Sequence, residues 1–173
     1  MVYNFKYLLI TFLFFSFISC ENSKNEYHKK FAVVSAKIEA SKAGYEILKM
    51  GGNAFDAMIA TDLALAVVYP NAGNLGGGGF MVYRLSDGDY GSLDFREKAP
   101  LAATKDMYLD ESGNVIKGLS REGALSIGVP GTVAGLFEVY DRFGSLPLDS
   151  LFKPALNLAK NGFSLTNKQA KTF

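Results

Sequence analysis

An excess of charge of either sign is missing from this sequence. Its 18 lysines and arginines balance 17 aspartates and glutamates, which leaves no electrostatic case for binding nucleic acid or an anionic membrane surface. Cysteine is nearly absent. Cys20 is the only one in 173 residues, so an intrachain disulfide is excluded. The one histidine, His28, lies in a polar stretch and reads as a solvated side chain, not a ligand. A long apolar run is lacking too: residues 7–19, YLLITFLFFSFIS, carry no charge but fall short of the roughly 20 residues that a spanning helix needs. No internal repeat, low-complexity tract or interdomain linker follows residue 30. What remains is a 49% apolar chain, suited to one globular unit of about 150 residues.

The N-terminus is more informative. MVYNFK supplies a lysine and the α-amine, the apolar run follows, and Cys20 stands where it gives way to polar ENSKNEYHKK. This is the layout of a signal peptide over residues 1–20. Cys20 resembles the acceptor cysteine of a bacterial lipoprotein signal; small Ser19 fits, whereas Phe17 departs from the usual leucine three residues before the cysteine. A simple cleaved signal is the alternative. A diacylated Cys20 would leave an exported protein, periplasmic or at the cell surface, anchored to a membrane, with residues 21–30 as a flexible tether.

From Phe31 the run FAVVSA predicts a short strand leading into a helix through IEASKAGYEILKMGG. There Ala40, Ala43, Gly44, Ile47 and Leu48 recur at helical spacing, and Gly51-Gly52 supply a stop. A second, alanine-rich helix is expected from about Asn53 to Tyr69, with Ala60, Leu63, Ala64 and Val67 on one side and Pro70 ending it. FMVYRL and GSLDFR, joined by a segment containing Asp87-Gly88, predict a β-hairpin. Within 99–126, AATKDMYLD could hold one short helix and DESGN a turn. VPGTVAGLFEVYDRFG predicts a helix opening after Pro130 and closing at Gly144, and LPLDSLFKPALNLAKNGF another, ending at Gly162. The final NKQAKTF shows no capping signal.

Four consecutive glycines, Gly76 to Gly79, precede the first strand. A dinucleotide-binding turn requires strand, glycines and then helix, and a Walker loop requires Gly-Lys-Ser/Thr. Here the order is helix, glycines, strand, and Phe80-Met81 follow Gly79. Both nucleotide readings fail. Two readings stay open: close passage of backbone against backbone or positive φ, and a loop beside a substrate. DFRE at 94–97 adds a chemical feature. Strand alternation places Asp94 and Arg96 on one face and Phe95 and Glu97 on the other, which suits the two carboxylates poorly for joint acid–base work. Arg96 could hold a substrate carboxylate with its forked donors, or merely pair with Asp94 or Glu97.

EILKMGGNAFDAMIA, NAGNLGGGGFMVY, LDFREKAPLAATKDMYLD, GVPGTVAGL and LPL…PALNLAKNGF occur here in one order, and together they resemble the γ-glutamyltranspeptidases (glutathione hydrolases) of the N-terminal-nucleophile hydrolase class. The resemblance covers residues 31–173; Lys37, in SAKIEAS, departs from the histidine or other residue that many members carry. It implies an α+β fold, an αββα sandwich that this chain supplies only in part, as the N-terminal part of a large subunit. It also implies a precursor that cleaves itself into two subunits, the small one exposing an N-terminal threonine nucleophile with its own α-amine as base. Glutathione or other γ-glutamyl compounds would be donors, and amino acids, peptides or water acceptors; no cofactor or metal is implied. In the family's RE-x-AP motif the arginine binds the α-carboxylate of the glutamyl group, which here is Arg96, while the glycine loop would mainly set the strand beside it. The nucleophile's Thr-Thr-His-type stretch does not occur in these residues: Thr172 lies in KTF, and Thr132 opens a helix that the family uses structurally. The fragment alone is therefore expected to be inactive. The alternatives are a truncated lipoprotein that binds a small amino-acid ligand, and a structural fragment.

Overall fold

A computed structural model describes residues 31–172, so the signal-peptide, tether and Cys20 expectations, and His28, lie outside the described residues. The described part is α+β: a bundle of helices with one β-hairpin against it. The elements run α1 (Ile38–Lys49), α2 (Ala54–Val68), β1 (Phe80–Arg84), β2 (Tyr90–Asp94), a 3-10 turn (Ala124–Ser126), α3 (Thr132–Phe143), α4 (Leu148–Asn161) and a short α5 (Asn167–Ala170).

Helix α2 is the centre of the bundle and touches α1, α3 and α4. Its alanines make that possible, because small side chains let three neighbours approach while Ile59 and Leu63 fill the space between them. Ile47, Ile59, Val139 and Leu151 form the inner core, none more than 1% exposed. A second patch, Ala40, Ala43, Ala64 and Val68, closes the α1–α2 contact.

The start of α2 is strongly fixed. The Asn53 side chain accepts from the amides of Phe55 and Asp56, and the Asp56 carboxylate accepts from the Asn53 amide at 2.9 Å, a reciprocal capping box. Asp56 is fully buried and also accepts from the amide and hydroxyl of Ser145, in the turn between α3 and α4. Burial alone would raise its pKa; the hydrogen bonds from Ser145, Asn53 and Leu146 outweigh that and hold the carboxyl below its ordinary value. One buried carboxylate thus joins three helices. Phe55 stacks on Phe143 at 4.2 Å between ring centroids, and Tyr83 of β1 meets both rings, which seats the hairpin on the bundle.

The hairpin is antiparallel, with Phe80 opposite Asp94 and Arg84 opposite Tyr90. Met81, Tyr83 and Leu93 face the helices; Phe80, Val82 and Tyr90 point away and are exposed.

Several expectations need correction. Residues 32–35 form no strand: Val34 is 92% exposed, and among the described residues neither hairpin strand pairs with this segment, so its β-branched run joins neither. AATKDMYLD forms turns and no helix; its few apolar residues make no continuous stripe for the core. The C-terminal stretch does carry a cap. Thr166 and Gln169 form a capping box around α5, and Gln169 reaches the Val68 carbonyl at 3.1 Å. Finally, β2 stops at Asp94, which leaves Arg96 in the loop beyond it.

Candidate functional site

Three segments meet where the hairpin ends: the glycine loop at 74–79, the run 94–98 leaving β2, and residues 128–132 leading into α3. Backbone pairing continues past the strands, since Gly79 and Phe95 exchange hydrogen bonds at 3.0 and 3.4 Å and Lys98 bridges to Val129. None of the four consecutive glycines has positive φ. At Gly78 the reason is proximity, whereas a Cβ on Gly76 would meet nothing within 4 Å. A Cβ on Gly78 would lie 2.6 Å from the Arg96 Cα and 2.7 Å from the Glu97 nitrogen, a collision with backbone that no rotamer can relieve. Close passage, one of the two readings of the glycine run, is what the geometry requires at Gly78.

Phe95 anchors the same crossing. Its ring lies against Gly79 and Gly135 of α3, where a Cβ on Gly135 would come 2.6 Å from the Phe95 Cβ. The inward turn of Phe95 leaves Asp94 and Arg96 facing outward, as strand alternation predicts. Glu97 departs from that alternation: as the chain turns toward Lys98, its carboxylate comes to 3.9 Å from the Arg96 Nε. Asp94 makes no ion pair with Arg96; its Oδ1 accepts the Arg96 backbone amide at 3.0 Å.

Arg96 is 65% exposed, and Glu97 is its only ion partner among the described residues. The contact is long and reaches Nε. The forked pair of terminal N–H groups therefore remains available for a planar acceptor such as a carboxylate. Beside it runs an open groove of about 350 Å³, lined by Phe95, Arg96, Lys98, Val129, Gly131 and Glu138 among others. Two cations, Arg96 and Lys98, and two carboxylates, Asp94 and Glu138, on an apolar floor suit a small zwitterionic molecule better than an apolar one.

The remaining hydroxyl candidates are engaged elsewhere. Thr172 donates to the Lys168 carbonyl on an exposed helix end, and Thr132 donates to Asn74 Oδ1 at 2.8 Å. Neither has a general base beside it in these contacts. Among the described residues no group of three His, Cys, Asp or Glu side chains could hold a metal ion. The carboxyls with displaced pKa values lie away from the groove: Asp56 in its cap, Asp62 on α2, raised by burial, and Asp110 in an exposed turn, held low by the Asn114 amide. Sequence reasoning missed the Asn74–Thr132 hydrogen bond, which spans 58 positions; asparagine ahead of a glycine run signals a local turn but not its distant partner.

The α+β unit has counterparts among known proteins. The family profile described as Gamma-glutamyltranspeptidase matches residues 40–173, and the chain belongs to that family. Over 133 residues it is 58% identical to a glutathione hydrolase proenzyme of Pseudomonas sp. (strain A14), a match covering 77% of this chain and 23% of that protein. The structure of the gamma-glutamyltranspeptidase of Helicobacter pylori superposes with a TM-score of 0.76 at 50% identity, over 82% of this chain and 41% of the other. The gamma-glutamyltranspeptidase of Pseudomonas nitroreducens, solved in complex with L-DON, gives 0.74 at 51% identity, over 82% and 42%. The chain thus spans about a quarter of the length of the curated relatives it matches, in their N-terminal region.

Proposed function

We propose that the complete protein carrying this chain transfers or hydrolyses the γ-glutamyl group of glutathione and other γ-glutamyl amides, and that this segment contributes the arginine that holds the donor. The observation that carries the reading is Arg96, exposed over a groove on a backbone that is clamped from two sides. A guanidinium fork meets both oxygens of an α-carboxylate and so fixes the glutamyl group's orientation. The chemistry itself belongs to residues beyond this chain. A threonine hydroxyl oxygen would bond to the γ-carbonyl carbon, its proton passing through the threonine's own α-amine to the departing amine as the C–N bond breaks. Water, an amino acid or a peptide amine would then cleave the resulting ester. Donor binding and bond cleavage would be divided between this segment and a small subunit from the same precursor.

The wider architecture fits an αββα sandwich of which this chain supplies one helical layer and two strands. On the hairpin's outward face Phe80, Val82 and Tyr90 stand exposed beside Arg84, Ser92 and Asp94, and the three apolar side chains offer contacts to a second sheet. Cys20 serves in this reading as a lipid anchor, since two acyl chains attach a protein firmly where one binds marginally. Cys20→Ser should release the protein from the membrane fraction or block its maturation; unchanged fractionation and an unmodified wild-type N-terminus would refute the anchor.

In the complete protein, Arg96→Ala should lower kcat/KM for a γ-glutamyl donor by the equivalent of about 2–5 kcal/mol, the cost of breaking a desolvated charge pair. Arg96→Lys should retain part of the binding, and self-cleavage should survive both changes. Wild-type turnover after Arg96→Ala would reduce Arg96 to a partner of Glu97.

A further inference from the structure

Asn74 ties together the segments that grip Arg96. Its Oδ1 accepts from the Thr132 hydroxyl at 2.8 Å and from the Gly77 amide at 2.7 Å. The Gly77 carbonyl in turn accepts from the amides of Gly131 and Thr132, at 2.7 and 3.0 Å. The glycine loop and the start of α3 are thereby locked to each other by three hydrogen bonds from Gly131 and Thr132 to Asn74 and Gly77, and a fourth, inside the loop, ties Gly77 to Asn74. Thr132 is 2% exposed, so its hydroxyl depends on Asn74, and removing the acceptor would strand a buried polar group.

The residues next to this lock are the ones that touch the Arg96 backbone. Gly78 lies against the Arg96 Cα, and Gly131 lies against the Phe95–Arg96 peptide, where an added Cβ would collide with the Phe95 carbonyl oxygen and come 2.9 Å from that of Arg96. Gly78 follows Gly77, and Gly131 precedes Thr132. A shift in either jaw therefore moves the base of the arginine side chain.

We propose that Asn74 and Thr132 are positioning residues for donor binding: their hydrogen bond holds the glycine loop and the α3 N-terminus as two jaws on the Arg96 backbone and so aims the guanidinium at the donor carboxylate. This rests on the reading of Arg96 given above. The pair touches no substrate; it acts through Arg96.

The test is a mutant cycle in the complete protein, with KM and kcat for a γ-glutamyl donor and melting temperature read for each variant. Thr132→Val keeps the shape and removes the donor hydroxyl; it should raise KM about tenfold with kcat nearly unchanged, the size expected for one lost hydrogen bond expressed in binding. Thr132→Ser should restore KM to within about twofold of wild type. Asn74→Ala, at an exposed position that leaves α3 intact, should raise KM as Thr132→Val does, and it carries the test if the valine variant does not fold. In an Arg96→Ala background neither change should raise KM further, because coupled residues do not add. An equal rise in both backgrounds, or a wild-type KM for Asn74→Ala, would overturn the positioning role. If Arg96→Ala alone left KM unchanged, the carboxylate clamp itself would fall, and the positioning role with it.

Discussion

The helical bundle and the hairpin end are built from the same chain but closed to different degrees. In the bundle, Ile47, Ile59, Val139 and Leu151 are sealed on every side, and the fully buried carboxylate of Asp56 is hydrogen-bonded to Asn53 and Ser145. At the hairpin end, Phe80, Val82 and Tyr90 are more than two-thirds exposed, and no third strand pairs with either edge among the described residues. The bundle holds the stability, while the hairpin end holds the geometry of Arg96 through backbone contacts too tight for side chains. Changes in the first region should therefore register in melting temperature, and changes in the second in donor binding.

Leu151→Ala should produce the largest effect on stability in the complete protein. It empties a site with no exposure, and a leucine-sized cavity costs about 2–5 kcal/mol; a thermal melt should show the loss while KM for the donor holds. Gly78→Ala should move both readouts. Its Cβ would press on the Arg96 backbone, at an overpacking cost of about 1–3 kcal/mol, with a rise in donor KM that Leu151→Ala lacks. Equal KM effects from the two would dissolve the division between the regions.

The two displaced carboxyls of α2 sharpen the comparison within the bundle. The Asp56 pKa is lowered in the folded state, so Asp56 contributes stability above the unfolded aspartate value of about 3.9 and loses it as pH falls through the lower folded value. Asp56→Asn should cost about 1–3 kcal/mol at neutral pH by spoiling the buried acceptor, a deficit that shrinks in acid. Asp62 has the opposite sign. Burial raises its pKa, so its ionised form opposes folding at neutral pH, and protonation relieves this as pH falls through the raised folded value. Asp62→Asn should raise the melting temperature slightly at pH 7, with the gain fading in acid; a loss at pH 7 would show that Asp62 has a partner in the complete protein.

Much of the bundle was legible in the sequence because its signals are local. Gly51, Pro70, Gly144 and Gly162 mark ends that the helices respect within a few residues, and Asp87-Gly88 marks the hairpin turn. The run at 31–34 misled because β-branched residues form a strand only where a neighbour offers its backbone. The Thr166–Gln169 box was local but rests on a helix of only four residues, too short to show periodicity. At the site, the role of Arg96 came from a motif rather than from spacing, and physics alone favoured an ordinary ion pair. The Asn74–Thr132 lock could not be read at all, since its members lie on different elements.

The central claim, that Arg96 recognises the donor's α-carboxylate, is tested most directly by two donors in two proteins. One donor is a γ-glutamyl amide; the other is the same compound with its α-carboxylate converted to a neutral amide. Wild-type complete protein should favour the first by about 30-fold or more in kcat/KM, the lower end of the cost of an unpaired buried charge, and Arg96→Ala should discriminate by no more than about threefold. Undiminished discrimination in Arg96→Ala would place carboxylate recognition elsewhere and contradict the account.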